Sequence, residues 1–116
     1  MEKFIYLFRG GENHAYNATD SETAAKNMEA WMSWMQSLQQ KGILAGGDPL
    51  QPTGMQVNGT GKVVTDGPFS ESKEIVGGYL IVNAKDINEA VEISKGCPIF
   101  NENGKVEIRP IQKMEM

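Results

Sequence analysis

The sequence lacks most of what metal-dependent and disulfide-stabilised proteins require. Its 116 residues include one cysteine, Cys97, and one histidine, His14. A lone cysteine excludes an intrachain disulfide and is typical of the reducing cytoplasm, where we therefore expect this protein. One histidine and one cysteine without ligand spacing predict that the chain holds no metal. No cofactor is expected either, because neither Gly10-Gly11 nor Gly46-Gly47 has the flanking pattern of a phosphate-binding loop.

Long apolar runs and basic runs are also missing. The longest apolar run extends from Phe4 to Phe8, whereas a helix needs about 20 residues to cross a bilayer, so no membrane segment is predicted. The 11 Lys and Arg residues are scattered and the net charge is −4. This charge argues against binding to nucleic acid, whose phosphates require a basic surface. Forty per cent hydrophobic and 22% charged residues are typical of a globular chain, and the length predicts a single domain, residues 1–116.

Two segments have the pattern of strands that are covered on both faces. In Lys3–Arg9 the aromatic residues Phe4, Tyr6 and Phe8 alternate with Ile5 and Leu7, so both faces are apolar. Residues 79–84 repeat this pattern. A third strand, residues 106–109, alternates cleanly between apolar and charged residues. It predicts one covered face and one face that carries Glu107 and Arg109.

Two helices are predicted between these strands. The longer one begins near Thr19 or Ser21 and ends before Gly42, and its apolar residues recur at steps of three and four. They are Ala24, Met28, Trp31, Met35 and Leu38. The shorter helix follows Asp86, which with Glu89 has capping-box spacing, and is closed by Gly96 and Pro98.

The middle of the chain is predicted to contain a loop and a hairpin. Residues 43–52 carry the turn signals Gly46-Gly47 and Asp48-Pro49, which favour a loop. Residues 55–57 and 62–64 flank Asn58-Gly59, a strong hairpin signal. The predicted order is β-α-β-β-β-α-β.

This order predicts an α+β fold, a ferredoxin-like split βαβ sandwich with two helices on one face of an antiparallel sheet. The opposite face then carries one apolar set from each doubly apolar strand. A large contiguous apolar patch is uncommon on a monomer. We therefore expect a homodimer in which the sheets pack face to face.

The segment that joins the predicted hairpin to the strand of residues 79–84 carries the most specific motif. It reads Val64-Thr65-Asp66-Gly67-Pro68-Phe69, then Glu71, Lys73 and Glu74, then Gly77-Gly78-Tyr79. With the helix of residues 31–38, Cys97-Pro98 and the final strand, it resembles the YCII-related family, in particular its DGPF branch. The resemblance covers nearly the whole chain and implies a dimeric α+β barrel. In the smaller branch of that family a His–Asp pair has been proposed as catalytic, and some members are encoded beside sigma factors.

These residues give a set of site candidates, each with a plainer alternative. Asp66 and His14 are the candidate catalytic residues. The alternatives are that Asp66 caps the following turn and that His14 is a solvated loop residue. Base chemistry at Asp66 would be favoured if it were buried beside Phe69, because burial raises a carboxyl pKa.

The candidate ligand-binding residues are Glu71, Lys73, Arg109, Trp34 and Phe69. For Glu71 and Lys73 the alternative is a solvated loop. Arg109 suits a carboxylate or phosphate, or pairs with Glu107. For Trp34 the alternative is a core or interface residue.

Three functions are compatible with these features. The first is a homodimer that binds a small organic molecule in a cleft near the Asp-Gly-Pro-Phe loop. The second is a non-catalytic regulatory module that partners a transcription (sigma) factor. The third is a lyase- or isomerase-type enzyme with Asp66 or His14 as the base. A deep pocket that combines an acid, a cation and an aromatic residue would favour the first or third.

Overall fold

The structure is a computed structural model that describes residues 1–10, 21–51, 53–67 and 75–114. Its elements are β1 (Glu2–Arg9), α1 (Ser21–Gln40), β2 (Leu44–Pro49), β3 (Gly54–Asn58), β4 (Val63–Gly67), β5 (Val76–Ala84), α2 (Ile87–Ser94), a 3-10 helix (Pro98–Glu102) and β6 (Lys105–Pro110). Within the described ranges, no helix combines the length and apolar character that crossing a membrane requires.

Four strands form an antiparallel sheet in the order β2-β5-β1-β6. Both helices cover one face of it, because Tyr6 on β1 stacks on Trp34 of α1 and donates a hydrogen bond to the Ala90 carbonyl of α2. The α+β fold with two helices on an antiparallel sheet is therefore confirmed. It is the strand order of a split βαβ unit, since β5 runs between β1 and β2.

The loop prediction for residues 43–52 is wrong, because these residues supply the edge strand β2. Gly46 and Gly47 have positive φ values of 159° and 145°, which favour glycine, and the register shifts between Leu44 and Gly46. A glycine pair that usually marks a turn is here a bulge in a strand. Pro49 ends β2 at the sheet edge, where a missing backbone donor is tolerated.

The predicted hairpin is confirmed, but it lies outside the main sheet. Among the described residues, strands β3 and β4 pair only with each other and form a separate two-stranded sheet. Asn58 donates hydrogen bonds to the Val63 carbonyl at 3.2 Å and to Thr65 Oγ1 at 3.1 Å. These bonds hold the turn at Asn58-Gly59.

The helix-terminal residues predicted at Gly42 and Asp86 are observed in the structure. Gly42, with φ of 72°, closes α1, and Asp86 caps α2 by accepting a hydrogen bond from the Glu89 amide at 2.9 Å. Thr19 lies outside the described residues. Ile87, the first residue of α2, has an exposed side chain.

The core lies between the helices and the sheet. Its largest fully buried side chains are Tyr6, Phe4, Ile99 and Val82. The opposite face of the sheet presents Ile5, Leu7 and Ile81, which are half-buried in the single chain. The aromatic residues of β1 thus face the helices and its aliphatic residues face away.

Candidate functional site

A groove of about 410 Å³ opens between α1 and the ends of β2 and β5. Helix α1 supplies one wall, and β1, β2 and β5 supply the other. The described residues that line it are Phe8, Met28, Trp31, Met32, Met35, Asp48, Pro49, Leu50, Gln51, Gly77, Gly78, Tyr79 and Leu80. Most of this surface is apolar, as is usual for pockets that bind organic molecules.

The groove exists because the sheet has no side chain at Gly78. Phe8 and Pro49 are the cross-strand neighbours of Gly78, so all three lie on the helix-facing side. A Cβ atom at Gly78 would lie 3.2 Å from the Asp48 carbonyl oxygen and 3.2 Å from Pro49 Cα. Close pairing of β2 with β5 therefore favours glycine, and the space above it stays open.

The α1 wall combines one aromatic ring with three flexible thioethers. Trp31 packs edge-on against Phe8, with ring centroids 5.0 Å apart, and so forms a fixed end of the groove. Met28 and Met32 are 50% and 63% exposed, while Met35 is half-buried. Methionine side chains adapt to the shape of a bound molecule at low cost.

One polar pair lies at the β2–β5 edge, on the sheet face away from α1, because Tyr79 is the cross-strand partner of Leu7 and alternates with Gly78. The Tyr79 hydroxyl donates a hydrogen bond to Asp48 Oδ2 at 3.2 Å, and the two residues are cross-strand partners on β5 and β2. This hydrogen bond, together with the nearby negative charge, raises the pKa of Tyr79. Asp48 is the one charged residue among the described residues that border the groove, and its side chain lies with Tyr79 on the other face of the sheet.

A second group of ionisable side chains is buried behind Trp31. Glu102 is 3% exposed, and burial raises the pKa of its carboxyl, an effect that the neighbouring Trp31 indole opposes. Burial also raises the pKa of the Cys97 thiol to about 12. That thiol is therefore protonated at neutral pH, as expected for an inert structural cysteine rather than a nucleophile.

The predicted site residues that the structure describes lie on different elements and do not form one site. Asp66 is exposed on β4 of the hairpin, so the burial on which base chemistry at Asp66 depended is absent. Arg109 is exposed on β6 beside Ile5, on the sheet face away from the helices. Its alternative partner Glu107 instead pairs with Arg9. Trp34 stacks on Tyr6 in the core.

None of Asp66, Arg109 and Trp34 is among the residues that line the groove. His14, Phe69, Glu71 and Lys73 lie outside the described residues. Their roles in catalysis or binding stay predictions, as does that of Asp66.

The sequence analysis named Asp48 in a turn signal and Tyr79 in the family motif, but did not predict that the two residues pair. Tyr79 directly follows Gly77-Gly78 in the motif, and glycine in a strand often marks a close approach of another backbone. Asp48 was assigned to a loop, so nothing placed it opposite Tyr79 until β2 was seen to pair with β5.

The fold and the groove together define a small α+β domain with an apolar pocket at one end of its sheet. The YCII-related domain model matches residues 4–115, and the chain belongs to the YCII-related family. A search of curated proteins by sequence found no match.

Among solved structures, the chain resembles the 5-chloro-2-hydroxyhydroquinone dehydrochlorinase TftG from Burkholderia phenoliruptrix AC1100, in complex with 2,5-dihydroxybenzoquinone. The TM-score is 0.53 at 13% sequence identity, over 95% of this chain and 93% of that chain. At this identity the resemblance supports the fold.

Proposed function

We propose that this protein is a cytoplasmic homodimer that binds a small, mainly apolar organic molecule in the groove between α1 and the β2–β5 edge. The observation that carries the proposal is the groove of about 410 Å³ itself, which joins the Trp31 ring to an adaptable wall of methionine side chains. Small-molecule sites are concave and lined mainly by apolar and aromatic side chains. TftG, which shares the fold, was solved with a small ring compound bound.

A thermal-shift screen of small aromatic compounds tests the binding proposal. A ligand that binds only the native state at 100 times its Kd adds about 2.7 kcal/mol to the free energy of unfolding, so hits raise Tm. We expect the same hits to raise the Tm of Met35→Leu, which preserves side-chain volume. They should not raise the Tm of Met35→Trp, because the larger tryptophan side chain would occupy the groove. Hits that stabilise Met35→Trp equally would place binding elsewhere.

The dimer proposal depends on the sheet face away from the helices. Ile5, Leu7 and Ile81 are neighbours on that face, and a second copy that packs its own sheet there would remove their apolar surface from water. The partner would cover the face opposite α1, so the groove would stay open in the dimer.

Light scattering after gel filtration tests this assembly. We expect a wild-type mass of twice the 12.8 kDa of one chain at micromolar concentration. Ile5→Lys places a charge in the proposed interface and should give a monomer, whereas Ile87→Lys, at an exposed position on α2, should leave the mass unchanged. A wild-type chain that runs at 12.8 kDa would overturn the dimer proposal.

A further inference from the structure

The sheet face away from the helices carries charges of opposite sign at its two edges. We infer that the two copies of the homodimer stack with the β2 edge of each opposite the β6 edge of the other, so that Asp48 of each chain meets Arg109 of the second copy. The inference rests on the proposed dimer and deepens it, because it fixes how the two copies are oriented.

The strand register places these two residues on one face. Asp48 is the cross-strand partner of Tyr79, which pairs in turn with Leu7. Arg109 is the partner of Ile5. Ile5 and Leu7 alternate with the buried aromatic residues of β1, so they and their partners point away from the helices. The order β2-β5-β1-β6 then gives an acidic edge, an apolar strip and a basic edge.

Both edge charges are available to a second copy. Asp48 is exposed and accepts a hydrogen bond from the neutral Tyr79 hydroxyl at 3.2 Å, so it keeps its negative charge. Arg109 is exposed, and the structure pairs it with no carboxylate of the described residues. The nearest acid on its own strand, Glu107, is engaged by Arg9. A carboxylate of the second copy would complete a pair of the kind that guanidinium groups favour.

Symmetry offers two ways of stacking such faces in the aligned mode. A two-fold axis parallel to the strands places β2 of each copy over β6 of the other. A two-fold axis across the strands places β2 over β2 and β6 over β6. The second arrangement brings Asp48 near its own copy, and Arg109 and Lys105 near theirs, so like charges meet at both edges. The first arrangement brings unlike charges together at both edges.

The apolar strip and the edge charges have different roles in this dimer. Burial of Ile5, Leu7 and Ile81 supplies most of the affinity. Exposed ion pairs add little affinity, whereas like charges in contact exclude a wrong arrangement. Packed sheets lie about 10 Å apart, a gap that the long Arg109 side chain and the short Asp48 side chain span together. The charges therefore select the orientation.

Cysteine cross-linking tests the orientation directly. The double variant Asp48→Cys with Arg109→Cys should form covalent dimers under mild oxidation, read on a non-reducing gel. Within one chain β5 and β1 separate the two positions, which exceeds the Cα spacing of about 7 Å that a disulfide allows. Neither single variant should cross-link, because each new cysteine then faces a native side chain. Wild-type protein controls for Cys97, which is buried.

Charge reversal tests the electrostatic cause. Asp48→Lys and Arg109→Glu should each raise the Kd of the dimer roughly tenfold at low salt, and the double reversal should restore it to within about twofold. The control Glu92→Lys makes the same charge change on the exposed side of α2 and should leave the Kd within about twofold of wild type. Analytical ultracentrifugation measures all four variants.

The outcomes separate this inference from the dimer proposal. Cross-linking of Asp48→Cys alone or of Arg109→Cys alone would show that like edges meet, and would overturn the inference while the dimer stood. A wild-type dimer whose double cysteine variant does not cross-link, or whose double reversal dimerises no more tightly than the single reversals, would overturn it as well. A monomeric wild-type chain would overturn the dimer proposal and the inference together.

Discussion

The space between the helices and the sheet has two halves, which differ in the side chains that the sheet presents to the helices. In the closed half β1 and β5 present Phe4, Tyr6 and Val82, which are 1%, 0% and 0% exposed. In the groove half β5 presents Gly78, and the facing Met32 on α1 is 63% exposed. Helix α1 contributes to both halves, since Trp34 stacks on Tyr6 in the closed half and Met32 lines the groove. The side chains of the sheet differ between the two halves, and the half with large side chains is the packed one.

The difference shows that close pairing of two strands can produce a cavity, because it requires a residue without a side chain. Gly78 is adjacent to the β2 backbone, where a Cβ atom would be 3.2 Å from Pro49 Cα. The proximity of β2 requires a small residue at position 78, and the open volume above Gly78 is available to a ligand. The packing of the closed half and that of the open half can be tested with separate substitutions.

The largest expected effect is the loss of a side chain from the closed half. Tyr6→Ala removes a fully buried ring that stacks on Trp34 and should lower the free energy of unfolding by about 4 kcal/mol. The matched change in the groove half, Met32→Ala, should cost less than about 1 kcal/mol because Met32 is already mostly exposed. Urea unfolding measures both. Similar losses would show that the groove half is as tightly packed as the core.

A smaller, pH-dependent effect is expected at Glu102. Its carboxyl pKa is raised by burial above the ordinary value of 4.5, so the folded state holds the proton more tightly than the unfolded state. The stability from this group is complete below pH 4.5 and is lost as the pH rises through the folded-state pKa. Glu102→Gln should therefore raise the free energy of unfolding at pH 8 by roughly 1–2 kcal/mol and change it little at pH 4.

The control for Glu102 lies on strand β2. Asp48 is exposed, so Asp48→Asn should change the free energy of unfolding by less than about 0.5 kcal/mol at either pH. Urea unfolding at both pH values measures the two variants together. A Glu102→Gln protein that is no more stable than wild type at pH 8 would contradict the buried-carboxyl account.

Much of the fold could be predicted from sequence because its signals are local. The alternation in β1, the capping pair Asp86 and Glu89 and the turn at Asn58-Gly59 each depend on neighbours along the chain. The dual apolar pattern of β1 predicts a cover on each face: the helices cover Phe4, Tyr6 and Phe8, and a cover for Ile5 and Leu7 stays a prediction. The resemblance at Asp66–Phe69 named the family that the domain model then matched.

The groove could not be predicted because it depends on a strand that looked like a loop. Gly46-Gly47 and Asp48-Pro49 carry ordinary turn chemistry, and only pairing with β5 makes them extended. That pairing brings Asp48 to Tyr79, 31 positions apart in sequence. Asp66 belongs to a conspicuous motif, yet it lies on a hairpin that does not pair with the main sheet in the part of the chain that the structure describes.

The most direct test of the groove as a binding site is NMR of the methionine methyl groups. The chain has seven methionines, of which Met28, Met32 and Met35 line the groove. On titration with a ligand from the thermal-shift screen, we predict that these three methyl signals shift together with one Kd while the other four stay in place. Shifts confined to Met55 or to the terminal methionines, with the three groove signals unmoved, would contradict the account.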